Sequence, residues 1–168
     1  MESQRQYKSC FFIGHRDAPE ALRFRLEEAV ERHITQYGVA EFVVGRYGHF
    51  DEMCAAAGRA ARKKHPEIVL LRLTPYYLYK DVQWAAPREE LLFYPPGMEQ
   101  VPKRCAIVRA NAYMLRHSDY LICYCKDQIG NTRELVQQAM GRERRGLLRV
   151  ENLALSYGSF FNPSHRVP

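Results

Sequence analysis

The sequence lacks a long apolar run and an internal repeat. No stretch of its 168 residues approaches the ~20 consecutive apolar residues that a membrane span needs. The first residues, Met1-Glu-Ser-Gln-Arg-Gln, lack the apolar segment of a signal peptide. We therefore predict a cytoplasmic protein with no membrane association. Because no repeat or change of composition divides the chain, we also predict a single domain over residues 1–168.

Cysteine is scarce and odd in number. The five cysteines leave at least one thiol unpaired under any disulfide scheme, which argues against a disulfide framework. Four of them lie in predicted strands or helices, so we interpret them as reduced thiols of the core. Histidines, cysteines and carboxylates form no metal-binding pattern, and we predict no metal site.

Acidic residues are fewer than basic ones, which gives a net charge of +6. Much of the excess lies in residues 62–64 and 142–145, both near predicted helix C-termini, where cations complement the helix dipole. These clusters are typical of solvated helix ends. Contact with nucleic acid is the alternative interpretation.

The first half of the chain alternates between strand and helix patterns. The apolar run 9–14 predicts a strand, and Asp17-Ala-Pro-Glu20 predicts a capping-box start for a helix that reaches about Gln36. The same alternation then predicts a strand at 41–44, a helix over 50–65 and a strand at 67–74. Three strand–helix units in this order favour a parallel sheet with right-handed crossovers.

The stretch 75–104 interrupts this alternation with aromatic residues among prolines and charges. We predict a flap that covers a ligand and stacks a base on Trp84 or a tyrosine. The alternative is that these aromatics pack the flap onto the domain. Within it, only Pro87–Leu92 has a short helical pattern.

Regular patterns resume after the flap. A helix is predicted from Pro102, a fourth strand at 120–124, a helix capped by Asn131-Thr-Arg-Glu134, a fifth strand at 147–150 and a tail over 151–168. In open parallel sheets the ligand crevice lies beyond the carboxyl ends of the strands. We therefore expect the loops after strands one, two and four to meet in one site.

The first of these loops is the turn Gly14-His15-Arg16, and we predict that all three residues, Gly14 included, belong to the ligand- or phosphate-binding site. Arg16 is predicted to bind a phosphate or carboxylate bidentately, and a salt bridge with Asp17 or Glu20 is the alternative. His15 is predicted to hydrogen-bond the ligand or to cap the end of the strand.

The other two loops carry glycines directly before a helix. Backbone contacts to phosphate are predicted at Gly45, Gly48, Gly130 and Asn131, and Thr132 would add a hydroxyl at a helix N-terminus. Ordinary strand-to-helix turns select similar residues, which is the competing interpretation.

The second loop also carries the resemblance to a known family. Gly45-Arg-Tyr-Gly-His-Phe-Asp-Glu52 resembles the Gly-Gly-x-Gly-Thr-x-x-Glu box of the SLOG superfamily, which joins LOG (LONELY GUY) phosphoribohydrolases to the DNA-processing protein DprA. Arg46 replaces the second glycine of the box and is predicted to crowd the phosphate or to bind an anion itself. His49 replaces the threonine.

The C-terminal third is similar to the YpsA-like branch of that superfamily. It has Tyr113-Met114, Ser118-Asp-Tyr-Leu-Ile122 and Gly130-Asn-Thr132 in the order of the branch, whose first strand commonly ends in Gly-His-Arg. An Arg-Asn pair often precedes Tyr-Met in the branch, whereas here Ala110 precedes Asn111. The resemblance covers residues 8 to about 150.

The resemblance implies an α/β protein with a Rossmann-like doubly wound, mainly parallel sheet, here of five strands, that binds a nucleotide-type small molecule. It implies hydrolysis of an N-glycosidic bond by Glu52, and we predict that the neighbouring Asp51 binds the ligand. Capping of a helix N-terminus is the competing role for both carboxylates. Binding of a nucleotide by a sensor, hydrolysis of a nucleoside monophosphate and DprA-like binding of single-stranded nucleic acid are thus three alternatives. Mg²⁺ would enter only with a phosphate ligand, and a homo-oligomer is compatible with each alternative.

Overall fold

The computed structural model describes residues 7–76 and 91–155, which form one sheet with helices on both faces. The strands are β1 Lys8–Gly14, β2 Val39–Val44, β3 Val69–Leu73, β4 Leu91–Phe93, β5 Tyr120–Tyr124 and β6 Arg149–Asn152. The helices are α1 Arg23–Thr35, α2 His49–Lys64, α3 Ala106–His117 and α4 Asn131–Arg144. Short 3-10 turns precede α1 and α3.

All strand pairs are parallel, in the spatial order β4-β3-β2-β1-β5-β6. The chain moves outward from β1 to β4 and then returns to the other side of β1 with β5. The strand order therefore reverses between β1 and β5, where Gly14 is paired with Tyr124. This is the Rossmann-like doubly wound arrangement that the sequence predicted, and its crevice is expected at that reversal.

Side chains that alternate in direction along the strands form two hydrophobic cores, one on each face of the sheet. Phe12 of β1 and Phe42 of β2 pack under α1 and α2, whereas Phe11 and Val43, each one residue away, pack under α3 and α4. Successive strand residues point to opposite faces of a sheet. The nearly continuous apolar strands of the sequence thus match a sheet covered on both sides.

The sheet has six strands, so the prediction of five was wrong. The additional strand, β4, lies inside the predicted flap, where Leu91 pairs with Leu71 of β3. It also corrects the predicted helix Pro87–Leu92 at its last two residues. Three residues are too few to show an alternating pattern, and β4 exists because β3 offers it a hydrogen-bonding edge.

Other boundaries differ from prediction too: the strand predicted at 147–150 is β6 at Arg149–Asn152, and the helix predicted from Pro102 is α3, which begins at Ala106. The tail was placed at 151–168, but β6 extends to Asn152 and Leu153 is buried. The capping box at Asp17–Glu20 was wrong, because a 3-10 turn occupies Glu20–Leu22 and Pro19 precedes it without a side-chain cap.

The predicted stacking residue Trp84 and most of the predicted helix at 87–92 lie outside the described residues. Within the described ranges, no helix combines the length and apolar composition needed to cross a bilayer.

Candidate functional site

A cavity of about 160 Å³ lies at the carboxyl ends of β1, β2 and β3, beside the reversal of strand order. Its polar side consists of the turns after β1 and β2 and the first turns of α2 and α4. Its apolar side comes from β3 and from α3. Three segments far apart in the sequence therefore meet at one edge of the sheet, as the sequence predicted.

Seven of the eleven predicted site residues line this cavity: Gly14, Arg16, Gly45, Arg46, Asp51, Asn131 and Thr132. The other four, His15, Gly48, Glu52 and Gly130, are not in its wall but adjoin residues that are.

Arg16 is the exposed cation of the cavity wall. Among the described residues no acidic side chain lies within salt-bridge distance of its guanidinium. The predicted alternative partner Glu20 instead pairs with Arg23 and accepts a hydrogen bond at 2.7 Å from Nε2 of His49, and these two bonds lower the pKa of Glu20. The positive charge of Arg16 therefore remains available to a ligand.

The two helices that begin at the cavity have no side-chain caps. α2 follows Gly48 at φ 125° and α4 follows Gly130 at φ 108°, backbone conformations that favour glycine. The predicted capping by Asn131 was wrong, since Asn131 is the first helical residue and Gly130 occupies the cap position. Uncapped N–H groups and the helix dipole favour an anion at both helix starts.

α2 is less available than α4, however. The N–H of His49, its first residue, donates to the carbonyl oxygen of Arg16 at 3.0 Å. The first turn of α2 also carries two carboxylates, Asp51 and Glu52, whereas that of α4 carries one, the exposed Glu134. An incoming anion therefore meets a freer N-terminus at α4, beside Asn131 and Thr132, than at α2.

Asp51 is the carboxyl group of the cavity. Its Oδ2 accepts a hydrogen bond from the N–H of Tyr47 at 2.9 Å, which orders the turn after β2. Burial raises the pKa of Asp51 to about 6, against the opposing effects of the Tyr47 N–H and of Arg72 and Arg16. The group therefore changes its charge near neutral pH.

At two of the predicted phosphate-binding glycines, packing explains why the residue has no side chain. A Cβ on Gly14 would lie 2.3 Å from the ring of Phe50, and a Cβ on Gly45 would lie 2.6 Å from Oδ2 of Asp51. Gly14 thus lets α2 approach β1, and Gly45 leaves room for the Asp51 carboxylate. Both still contribute backbone to the cavity wall.

Glu52, the residue that the resemblance assigns to catalysis, is directed elsewhere. Its Oε1 accepts a hydrogen bond at 2.8 Å from Nη2 of Arg72, a buried residue of β3. Its side chain is 57% exposed and absent from the cavity wall. The cavity therefore contains Asp51, not its neighbour.

The sequence did not indicate the apolar wall. Ile107, Val108 and Ala110 of α3 line the cavity together with Leu73 and Leu135, and Asn111 of the same helix adds a polar amide. Their helical and strand spacing is equally typical of core residues. No local sequence pattern therefore distinguishes a residue of the cavity wall from a residue of the hydrophobic core.

Chemically, the cavity combines two arginines, Arg16 and Arg46, with one titratable carboxyl, an uncapped helix start and an apolar wall. Within residues 7–76 and 91–155, no group of three or more histidine, cysteine, aspartate or glutamate side chains is placed to hold a metal ion. Arg16 and the first turn of α4 are the groups suited to a phosphate, and Asp51 is suited to a hydrogen-bond donor of the same ligand. No protein-family model matches the sequence, and no curated protein matches it either, so the function is argued from this cavity.

Proposed function

We propose that the protein binds a nucleotide or nucleotide-derived ligand in this cavity and acts as a sensor or regulatory protein. The observation that carries the proposal is the meeting of Arg16, which forms no salt bridge with a described acidic residue, with the uncapped start of α4. Arginine binds phosphate bidentately, and a helix N-terminus adds N–H donors and partial positive charge.

The size of the cavity indicates which part of the ligand it receives. Sites for drug-sized ligands are usually about 300–1,000 Å³, whereas the cavity has about 160 Å³. We place the phosphate and the sugar inside it, with the sugar against α3 and its hydroxyls near Asp51. The base would extend out of the cavity.

Binding of a nucleotide panel tests this proposal. The panel contains AMP, ADP, cyclic AMP, ADP-ribose and NAD, measured by thermal shift and then by calorimetry. A ligand at 100 times its Kd stabilises the fold by about 2.7 kcal/mol, which is easily seen as a rise in Tm.

Arg16→Met is the informative variant, because it removes the cation and keeps an apolar stem. We expect the affinity for the best ligand to fall at least tenfold. Arg145→Met is the matched control: Arg145 is an exposed arginine at the far end of α4, roughly 20 Å from its first turn, and its loss should change the affinity less than twofold. No binding by any member of the panel, or equal losses in both variants, would refute the proposal.

Asp51 supports a second candidate function, hydrolysis of the N-glycosidic bond of a nucleoside 5′-monophosphate. A carboxyl group with a pKa of about 6 in a ligand cavity is suited to general acid–base chemistry near neutral pH. The family resemblance assigns this role to Glu52 instead.

Incubation with AMP and chromatography of the products separates these possibilities. Release of adenine that is lost in Asp51→Asn and kept in Glu52→Gln would assign the chemistry to Asp51, and the reverse pattern would assign it to Glu52. Bound AMP that is never cleaved would leave the protein as a binding protein.

A further inference from the structure

His15 follows β1 directly, at the reversal of strand order between β1 and β5, and lies outside the cavity wall. Its side chain is buried, with 9% of its surface exposed. The ring contacts Tyr124 edge-on, with the ring centroids 5.8 Å apart. Its Nε2 lies 3.1 Å from the backbone nitrogen of Lys126 and 3.4 Å from that of Asp127.

These two contacts determine the protonation of the ring. A backbone N–H can only donate, so Nε2 of His15 must accept and cannot carry a proton. The neutral ring then carries its proton on Nδ1. Oδ2 of Asp127 lies 3.6 Å from the same nitrogen, too far to accept a hydrogen bond from it.

The residues held in this way are the connection from β5 to α4, Lys126–Gly130, all of which are exposed. The first residue after β5, Cys125, is held by Asn152, whose Oδ1 accepts from its N–H and whose Nδ2 donates to its carbonyl oxygen, and the Cys125 thiol donates to the carbonyl of Asp127. Beyond Cys125, His15 accepts from the N–H groups of Lys126 and Asp127. The connection ends at Gly130, directly before the first turn of α4.

We propose that His15 is a positioning residue for the phosphate site. As the Nδ1–H tautomer it fixes Lys126–Gly130 and thereby sets where Asn131 and Thr132 stand in the cavity. The proposal rests on the function proposed above, since the phosphate is the group that the first turn of α4 would receive. It replaces the predicted direct contact of His15 with the ligand.

Two substitutions test this role. His15→Phe keeps a ring against Tyr124 and removes the acceptor, whereas His15→Gln restores an acceptor oxygen near the position of Nε2. In His15→Phe we expect hydrogen exchange at the amides of Lys126 and Asp127 to accelerate at least tenfold. The amide signals of Asn131 and Thr132 should shift, and the affinity for AMP should fall about tenfold.

His15→Gln should recover most of the amide protection and of the affinity, which a purely structural loss of the ring would not allow. In the wild-type protein, the ¹⁵N signal of Nε2 should be that of an unprotonated acceptor. A protonated Nε2, or unchanged exchange in His15→Phe, would overturn the proposal.

The two proposals fail in different ways. If the wild-type protein does not bind AMP or any other member of the nucleotide panel, the proposed function fails, and the role of His15 is decided by the exchange and ¹⁵N measurements. If AMP binds and His15→Phe leaves both the affinity and the amides unchanged, the proposed function stands and the positioning role is wrong.

Discussion

Asp51 and Glu52 are neighbours in the sequence, yet only Asp51 lines the cavity. Successive helical residues point about 100° apart, so the docking of α2 on the sheet decides which carboxyl group faces the site. Glu52 is directed to Arg72 of β3 by the same docking. The family box at residues 45–52 correctly identified the turn after β2 as part of the site. It could not identify which of the two carboxylates, Asp51 or Glu52, would lie in the cavity.

The raised pKa of Asp51 makes a prediction about stability. The ordinary pKa of an aspartate is 3.8, and that of Asp51 in the fold is about 6. At a pH between these two values, the folded protein binds a proton at Asp51 that the unfolded chain does not bind. The charged form therefore destabilises the fold above pH 6, by at most about 3 kcal/mol, and this cost disappears as the pH falls towards 4.

Asp51→Asn keeps an oxygen acceptor for the N–H of Tyr47 and removes the charge. We expect this variant to be more stable than the wild-type protein at pH 8, by roughly 1–3 kcal/mol, and equally stable near pH 4. Urea unfolding of both proteins across this range measures the difference, and the comparison cancels other groups such as His33, whose pKa burial lowers. A difference that is independent of pH would contradict the assignment.

At the scale of elements, the position of α2 depends on its contact with β1. Phe50 is buried, and its ring occupies the space that a side chain on Gly14 would need. The glycine was predicted as a phosphate contact, but its absent side chain is what allows the helix to reach the strand. Because α2 carries Asp51, this contact also determines the depth of the carboxyl group in the cavity.

Gly14→Ala should therefore destabilise the protein. A methyl group 2.3 Å from the Phe50 ring forces α2 away from the sheet, and overpacking of this kind costs about 1–3 kcal/mol or more. The double variant Gly14→Ala/Phe50→Leu should recover part of the loss, because the smaller side chain makes room. Urea unfolding of the three proteins measures both effects.

Gly141→Ala is the control for glycine substitution itself. Gly141 lies within α4, and the nearest atom to an added Cβ is 3.7 Å away. Alanine there should stabilise the protein by up to about 1 kcal/mol through helix propensity. Equal destabilisation in both alanine variants would show that the Phe50 contact is not the cause.

Most helices and strands were predictable from the sequence, because their patterns are local. β5 was placed at its observed residues, and α2 within one residue at each end. β4 was missed because it exists only by pairing with β3. The starts of α1 and α4 were assigned to capping side chains that the structure does not use, since turn residues suit several turns equally well.

For the molecule as a whole, the net charge of +6 bears on the nucleic-acid alternative. The end of the sheet opposite the cavity carries a cation–aromatic stack in which Arg149 lies 4.5 Å from the ring of Tyr37, which in turn stacks on Tyr120. The Tyr37 ring is thus already stacked against two protein groups. This stack therefore does not offer the open ring that base stacking on single strands requires.

We expect oligonucleotide binding to be electrostatic only and separate from the cavity. A 20-nucleotide single strand should bind weakly at low salt and lose its affinity steeply as salt increases. Arg16→Met and Arg145→Met should weaken it equally, in contrast to their different effects on nucleotide binding. Fluorescence anisotropy over a salt series measures this, and a selective loss in Arg16→Met would show that nucleic acid uses the cavity.

The sequence by itself determined the α/β class, the order of its main elements and the three turns that meet at one edge of the sheet. Periodicity and turn residues are local properties, and the parallel arrangement follows from strand–helix alternation. Only the tertiary structure decided that Asp51 and not Glu52 enters the cavity, that α3 forms its apolar wall and that His15 holds the connection before α4. These depend on how a helix is rotated against the sheet and on contacts between residues more than 100 positions apart, which no local pattern specifies.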